Sequence, residues 1–204
     1  MDYADIVKKT RSYRRFNGQK AIAKKELVDL VDLARITSSG ANRQYLKYMV
    51  FSKDSPEGTA LCNQVFQNIK WAGYLSDWDG PVKEEQPTGY IVLLRDTSIF
   101  ENISIDEGIA AQTILMGATD KRFGGCFIGS FNKGNIEEVL SLSTISGGPY
   151  QIALIIALGY PVENVVLEDI GTNGITSIPD NIKYYRDKKN THHVPKRTLS
   201  QVLL

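Results

Sequence analysis

Apolar residues recur at helical spacing between Lys24 and Ile36, where Leu27, Leu30, Val31 and Ala34 share one side and Lys and Asp lie between them. That period predicts an amphipathic helix. A short helix is expected from Tyr3, ending near Thr10. Another opens at Asp54-Ser55-Pro56-Glu57, an N-cap candidate followed by Pro in the first turn. Ile105 to Phe123 predicts the longest helix, apolar or small almost all round from Gly108 to Ala118 apart from Gln112 and Thr113. A helix of that kind belongs inside a core or at a subunit interface. Gly124-Gly125 is expected to end it. Strands are predicted at Tyr45–Ser52 (YLKYMVFS), Gly89–Leu94 (GYIVLL) and Tyr150–Leu158 (YQIALIIAL), with a short strand and turn at Cys126–Phe131. Lys70 to Thr88 has no period and reads as a loop. About three to five strands and about five helices, without regular βαβ alternation, predict an α+β fold rather than a doubly wound sheet.

The 204 residues suffice for one core, so the chain is taken as one domain spanning 1–204. The net charge of +1 gives no global field for nucleic acid, so any anion site must be local. Asp187 also interrupts the basic run of residues 183–197, leaving little support for a nucleic-acid role. Cys62 and Cys126 sit in apolar surroundings and read as reduced thiols. MDYADIVKKT lacks the apolar core of a signal peptide. No apolar run approaches the roughly 18 residues of a membrane helix. The protein is therefore expected to be cytoplasmic, with no membrane partner.

Within that neutral chain, TRSYRRF (10–16) places three arginines in five positions beside Ser12. Arg11, Ser12 and Arg14 have two readings. The guanidinium forks and the hydroxyl suit a phosphate, or the arginines merely end the first helix, where cations are favoured. Lys196-Arg197 is a second cation pair, either solvated or converging with Arg11 on one anion. Ser38, Ser39, Gly40, Ala41, Asn42, Arg43 and Gln44 form a polar turn, either an ordinary loop or amides reading a heterocycle edge. Gly124, Gly125 and Gly129 would admit a flat ligand close to the backbone, or Gly124 is a helix C-cap. Trp71, Tyr74 and Trp78 would wall a pocket for a planar substrate or pin a loop onto the core. His192 and His193 are adjacent, with no second metal-type cluster, so a zinc site is not expected. No hydrolase signature or P-loop appears, so reactivity is expected to come from a bound cofactor.

In order, RSYRRF, SSGANRQ, IDEGIAAQTILMGATDKRFGG with CFIGSF, the strand ending ALGYP, and PKRTL resemble the FMN-dependent nitroreductase-like oxidoreductases over nearly the whole chain. The resemblance implies a nitroreductase-like fold: a central, mainly antiparallel sheet flanked by helices, in an intertwined homodimer with FMN at the interface. It implies that Arg11, Ser12 and Arg14 meet the flavin phosphate, ribityl chain and pyrimidine edge. Lys196 and Arg197 would complete the phosphate site. Ser38, Ser39, Gly40 and Asn42 would come from the second subunit, and Ile128, Gly129 and Ser130 would lie near flavin N5. Two positions differ from the usual pattern. Tyr45-Leu46 follows Asn42-Arg43-Gln44 where Pro-Trp is frequent, and Phe123-Gly124-Gly125 replaces Gly-Leu-Gly.

The expected function is ping-pong reduction of a small acceptor, such as a nitroaromatic, quinone or enone, by NADH or NADPH through flavin N5. Arg14 would support the negative charge of the reduced ring, and Trp71 and Tyr74 would contact substrate. The alternative is an FMN-binding sensor or storage protein with little turnover.

Overall fold

The computed structural model describes residues 1–73, 75, 78–170 and 182–204. Its centre is a four-stranded antiparallel sheet in the order β1-β2-β4-β3, built from β1 (Leu46–Ser52), β2 (Gly89–Asp96), β3 (Gly124–Ile128) and β4 (Tyr150–Gly159). The two inner strands read as near-continuous apolar runs because both of their faces are covered. Tyr90, Val92 and Leu94 enter one core layer, and Ile91 and Leu93 enter the other. The first layer lies under α3 (Pro56–Gln67) and α5 (Lys133–Val139), which contribute Cys62, Val65 and Ile136. The second lies under α2 (Lys24–Arg35) and α4 (Ile105–Asp120), which contribute Leu27, Leu30, Ala110, Ala111, Ile114 and Ala118. A β-bulge interrupts the β2–β4 register, pairing Leu93 with Leu154 but Leu94 with Ile152. Ala153 is the extra residue, and it resets which side chains face which layer. Ile152 and Ile155 therefore share the α3/α5 layer despite their odd spacing. The expected α+β architecture, a central antiparallel sheet flanked by helices, is the one observed.

Local chemistry explains the helix starts. Ser55 accepts the N–H of Gly58 with Pro56 next in line, and Ser104 accepts the N–H of Asp106 at the head of α4. The end of α4 differs from the sequence expectation. The helix stops at Asp120, Arg122 turns with φ 64°, and Gly124-Gly125 open β3 instead of capping the helix. Packing accounts for the glycine at 124. A Cβ there would lie 2.5 Å from Pro161 Cγ and 2.6 Å from Tyr13 Cδ2.

A second sheet, unforeseen from the sequence, forms near the C-terminal end. β5 (Val165–Asp169) runs parallel to β7 (His192–Lys196), which pairs antiparallel with β6 (Tyr185–Arg186). A terminal helical turn, α6 (Leu199–Val202), follows. At the other end, α1 (Tyr3–Lys9) leads into residues 10–16, which lie along the free edge of β3. There Ser12 bridges Gly125, and Tyr13 N–H donates to Gly125 C=O at 2.9 Å. This contact covers part of an edge that would otherwise expose unpaired backbone groups. Among the described residues no helix is long and apolar enough to cross a membrane.

Candidate functional site

Residues 10–16 are fixed from both sides. Thr10 Oγ1 donates to Ile6 C=O at 2.7 Å and lies 3.0 Å from Thr119 Oγ1, tying the end of α1 to α4. Arg11 Nη2 donates to Val7 C=O at 2.8 Å, so the helix-end reading holds for one arm of this guanidinium. Its Nε is buried with no hydrogen-bond partner among the described residues. Burial lowers the pKa of Arg11, partly offset by Tyr13. Arg15 points elsewhere, into a two-pronged pair with Glu85 at 2.5 and 2.7 Å. Arg14 has its backbone N–H bonded to Glu163, its guanidinium 5.0 Å over the Tyr184 ring, and a 3.3 Å bond to Ser12 C=O.

Glu163 was not foreseen. Its side chain is 2% exposed; one oxygen takes the N–H groups of Arg14 and Arg15, and the other takes Arg186 Nη2 at 3.0 Å. In sequence it is one acid after a strand, with no periodic signal. Its role follows from long-range pairing.

Between residues 10–14, α4, β3 and the second sheet lies a cleft of about 190 Å³. Thr10, Arg11, Ser12 and Arg14 form one wall, and Gln112, Leu115 and Phe127 form the floor. Tyr184, His192, Val194 and Lys196 form the other wall. The described lining contains three cations and no carboxylate. Arg11, Arg14 and Lys196 thus meet from opposite ends of the chain in one electropositive hollow. Arg197 does not line the cleft. It is exposed just past the end of β7, where the alternation that aims His192, Val194 and Lys196 inward has stopped.

His192 is the other unforeseen member. It is 1% exposed, and neither ring nitrogen has a hydrogen-bond partner among the described residues. Burial first, then the charges of Arg14, Arg186 and His193, push its pKa down to about 4, so it is neutral near pH 7. Its neighbour faces the opposite way. His193 stacks on Tyr185 at 4.7 Å, bonds Glu168 through Nδ1 and lies 3.3 Å from Asp187. Burial opposes protonation of His193, but those two carboxylates outweigh it and raise the pKa. Among the described residues no group of acids, histidines and cysteines is arranged to hold a metal.

The remaining predicted residues lie elsewhere. Ser38 and Ser39 line a separate cleft with Tyr48 and Asp106. Ser39 Oγ donates to Asp106 at 2.7 Å, and Gly40 N–H donates to it at 3.1 Å. Ala41, Asn42 and Gln44 beyond them all have φ near +50°, a conformation L residues adopt only when surrounding contacts hold it. Burial alone would raise the Asp106 pKa, but the bonds from Ser39, Gly40 and Ser104, with Arg43 nearby, bring it below the ordinary value. Ile128 is buried in the α3/α5 layer. Gly129 has no atom within 4 Å of a hypothetical Cβ, and Ser130 C=O accepts Lys70 N–H at 2.9 Å. Trp71 packs against Phe66 at 6.0 Å and Trp78 at 6.3 Å, over Gly80, whose φ is +130°. Its ring packs against the α3/α5 layer and does not line the cationic cleft. Tyr74 lies outside the described residues.

The sequence profile described as "Nitroreductase family" matches residues 7–160. A Bacillus subtilis (strain 168) protein provisionally named the NAD(P)H nitroreductase YodC is 22% identical over 184 residues, covering 78% of this chain and 89% of the relative. A nitroreductase family protein of Clostridium novyi NT superposes with a TM-score of 0.61 at 26% identity, over 79% of this chain and 86% of that one. A provisionally named nitroreductase from Desulfovibrio desulfuricans, solved in complex with FMN, gives a TM-score of 0.58 at 18% identity, over 78% and 86%.

Proposed function

The chain belongs to the nitroreductase family, and from that premise we propose that it is an FMN-dependent oxidoreductase that uses NADH or NADPH to reduce a small nitroaromatic, quinone or enone acceptor. One observation carries the reading. Arg11, Ser12, Arg14 and Lys196 share a cleft with no acid among its described residues, and among the described residues the buried Arg11 Nε there has no partner. Buried donors of this kind are expensive unless something accepts from them. A phosphate does so with two or three oxygens at once. The residues present therefore fit the phosphorylated end of FMN.

Arg11, Ser12 and Lys196 would hold the phosphate and ribityl end, and Arg14 would reach the pyrimidine edge of the ring. The backbone at Ile128, Gly129 and Ser130 would face the ring, where the open space at Gly129 admits a flat group. A second copy of the chain would supply Ser38, Ser39, Gly40 and Asn42, making the working unit a homodimer. The chemistry that bound FMN supplies is two-electron transfer from a nicotinamide to the acceptor. Arg14 contributes a fixed positive charge. Its backbone is tied to Glu163 and its guanidinium rests on Tyr184, so little reorganisation is needed when negative charge develops beside it. Asp106 sets the Ser39–Gly40 loop in the form it would present to the other copy.

The visible absorbance spectrum of purified protein, followed by anaerobic titration with NADH and then NADPH, tests this. A yellow protein bleached by either nicotinamide is expected. A protein that stays colourless after incubation with FMN, or remains yellow with both nicotinamides, would overturn it.

A further inference from the structure

His192 stands in the cationic cleft with no task assigned to it by the reading above. It enters from β7, whose alternation aims His192, Val194 and Lys196 at the cleft and sends His193 to the far side. Its ring is 5.1 Å from that of Tyr184 and tilted 49° to it. At 1% exposure, both nitrogens are cut off from solvent and unpartnered among the described residues. Unpaired buried nitrogens are costly, and two on one ring are rarer still.

We propose that His192 is a ligand-binding residue of this cleft, acting as a neutral imidazole that donates from one ring nitrogen to a phosphate oxygen and accepts at the other from a hydroxyl of the same ligand. The inference rests on the FMN reading and adds a residue and a selection rule to it.

The charged and titratable groups facing His192 decide its form. Arg11 and Arg14 come from residues 10–14, Arg186 from β6, and His193 and Lys196 from β7 itself. Tyr184 offers a neutral ring, and α4 offers only neutral Gln112. Glu163 is the nearby acid, and it is occupied by Arg186 and the N–H groups of Arg14 and Arg15. Cations thus dominate, and the imidazole stays neutral with a pKa of about 4. A neutral imidazole has one donor and one acceptor. Inorganic phosphate as a dianion offers acceptors only and leaves one nitrogen unmatched. A phosphate monoester with a neighbouring hydroxyl, the pattern of a ribityl phosphate, matches both. The arginines and Lys196 then attract the anion, and His192 distinguishes a polyol ester from a bare ion.

The test takes the full-length protein freed of flavin and titrates it with FMN, and separately with riboflavin, by quenching of flavin fluorescence. Leucine keeps bulk but neither polar atom, whereas glutamine keeps one donor and one acceptor. His192→Leu is expected to weaken FMN binding about tenfold or more, while His192→Gln stays within about threefold of wild type. FMN affinity of the wild type should change by less than about twofold between roughly pH 7 and 8.5, above the second phosphate pKa of about 6. Equal FMN affinity in His192→Leu and wild type, or equal losses in both variants, would overturn the inference. So would a progressive weakening of wild-type binding as pH rises, which would identify an imidazolium. If the leucine variant does not fold, the ring ¹⁵N signals of wild-type His192 decide: they move on addition of FMN, and unmoved signals overturn the assignment. A wild type that binds neither flavin would overturn the oxidoreductase reading as well, whereas the variant results bear on His192 alone.

Discussion

Glu163 and Arg186 form a 3.0 Å ion pair in which the carboxylate is almost wholly buried. The same carboxylate takes the N–H of Arg14, so one acid joins the arginine-bearing segment near the N-terminus to the second sheet. That side chain therefore ties the two walls of the cationic cleft together, beside the contact of Arg14 with the Tyr184 ring.

Glu163→Ala is expected to destabilise the fold by about 3–5 kcal/mol, because it strands a mostly buried guanidinium and two backbone donors. In a chain of this size that lowers the melting temperature by at least about 6 °C. Glu163→Gln, which keeps an acceptor, should fall between the two. Thermal unfolding followed by circular dichroism checks both, and a loss below about 1 kcal/mol for the alanine variant would show that the pair does not join the walls.

Arg14→Ala removes a cation from the cleft and leaves the backbone N–H bond to Glu163 available. A charge-assisted hydrogen bond is worth about 1.5–3 kcal/mol, so flavin affinity should fall roughly ten- to hundredfold. Stability should change little, since the lost contact with Tyr184 is a half-exposed cation–π pair. Fluorescence titration with FMN, alongside a melting curve, separates the two effects.

Asp106 makes a pH prediction. Its folded pKa is depressed, so it contributes stability that is present above the unfolded value of about 3.9 and is lost as pH falls through the folded one. Asp106→Asn keeps the shape without the titration. Wild type should lose stability below about pH 4 more steeply than the variant, while the variant is already weaker at neutral pH. Hydrogen exchange at Ser39, Gly40 and Gln44 should quicken in the variant. Unchanged exchange there would show that the loop does not depend on this carboxylate.

Gly124→Ala places a methyl group against both Pro161 and Tyr13. Overpacking of this sort costs about 1–3 kcal/mol. It should also disturb the Tyr13–Gly125 contact and with it the approach of Arg11 and Arg14. Gly129→Ala, at an open position, should be near-neutral for the fold. Comparing the two melting temperatures tests whether the glycines serve different ends.

The central sheet could be read from the sequence because β2 and β4 carry unbroken apolar runs that no helix of the same length would need. The arginine cluster and Lys196 were readable as charges in a chain of near-zero net charge, and their convergence is what the fold adds. The second sheet was hidden for a physical reason. Val165 pairs with His192, 27 positions further along the sequence, and no local pattern encodes that match. Glu163 and His192 were missed with it, since each acquires its meaning from that pairing. Gly124 was misread because a glycine after a helix is usually a cap. Here the reason for glycine is a tyrosine far back in the chain.

The stretch that matches the family profile stops at residue 160, yet one wall of the cleft is built beyond it. The body and the tail meet as two jaws, one seated on the core and one carried by the second sheet. Exchanging the segment after Pro161 between relatives would alter which molecule is gripped while keeping all four strands of the central sheet, provided the acid at position 163 travels with a matching arginine segment.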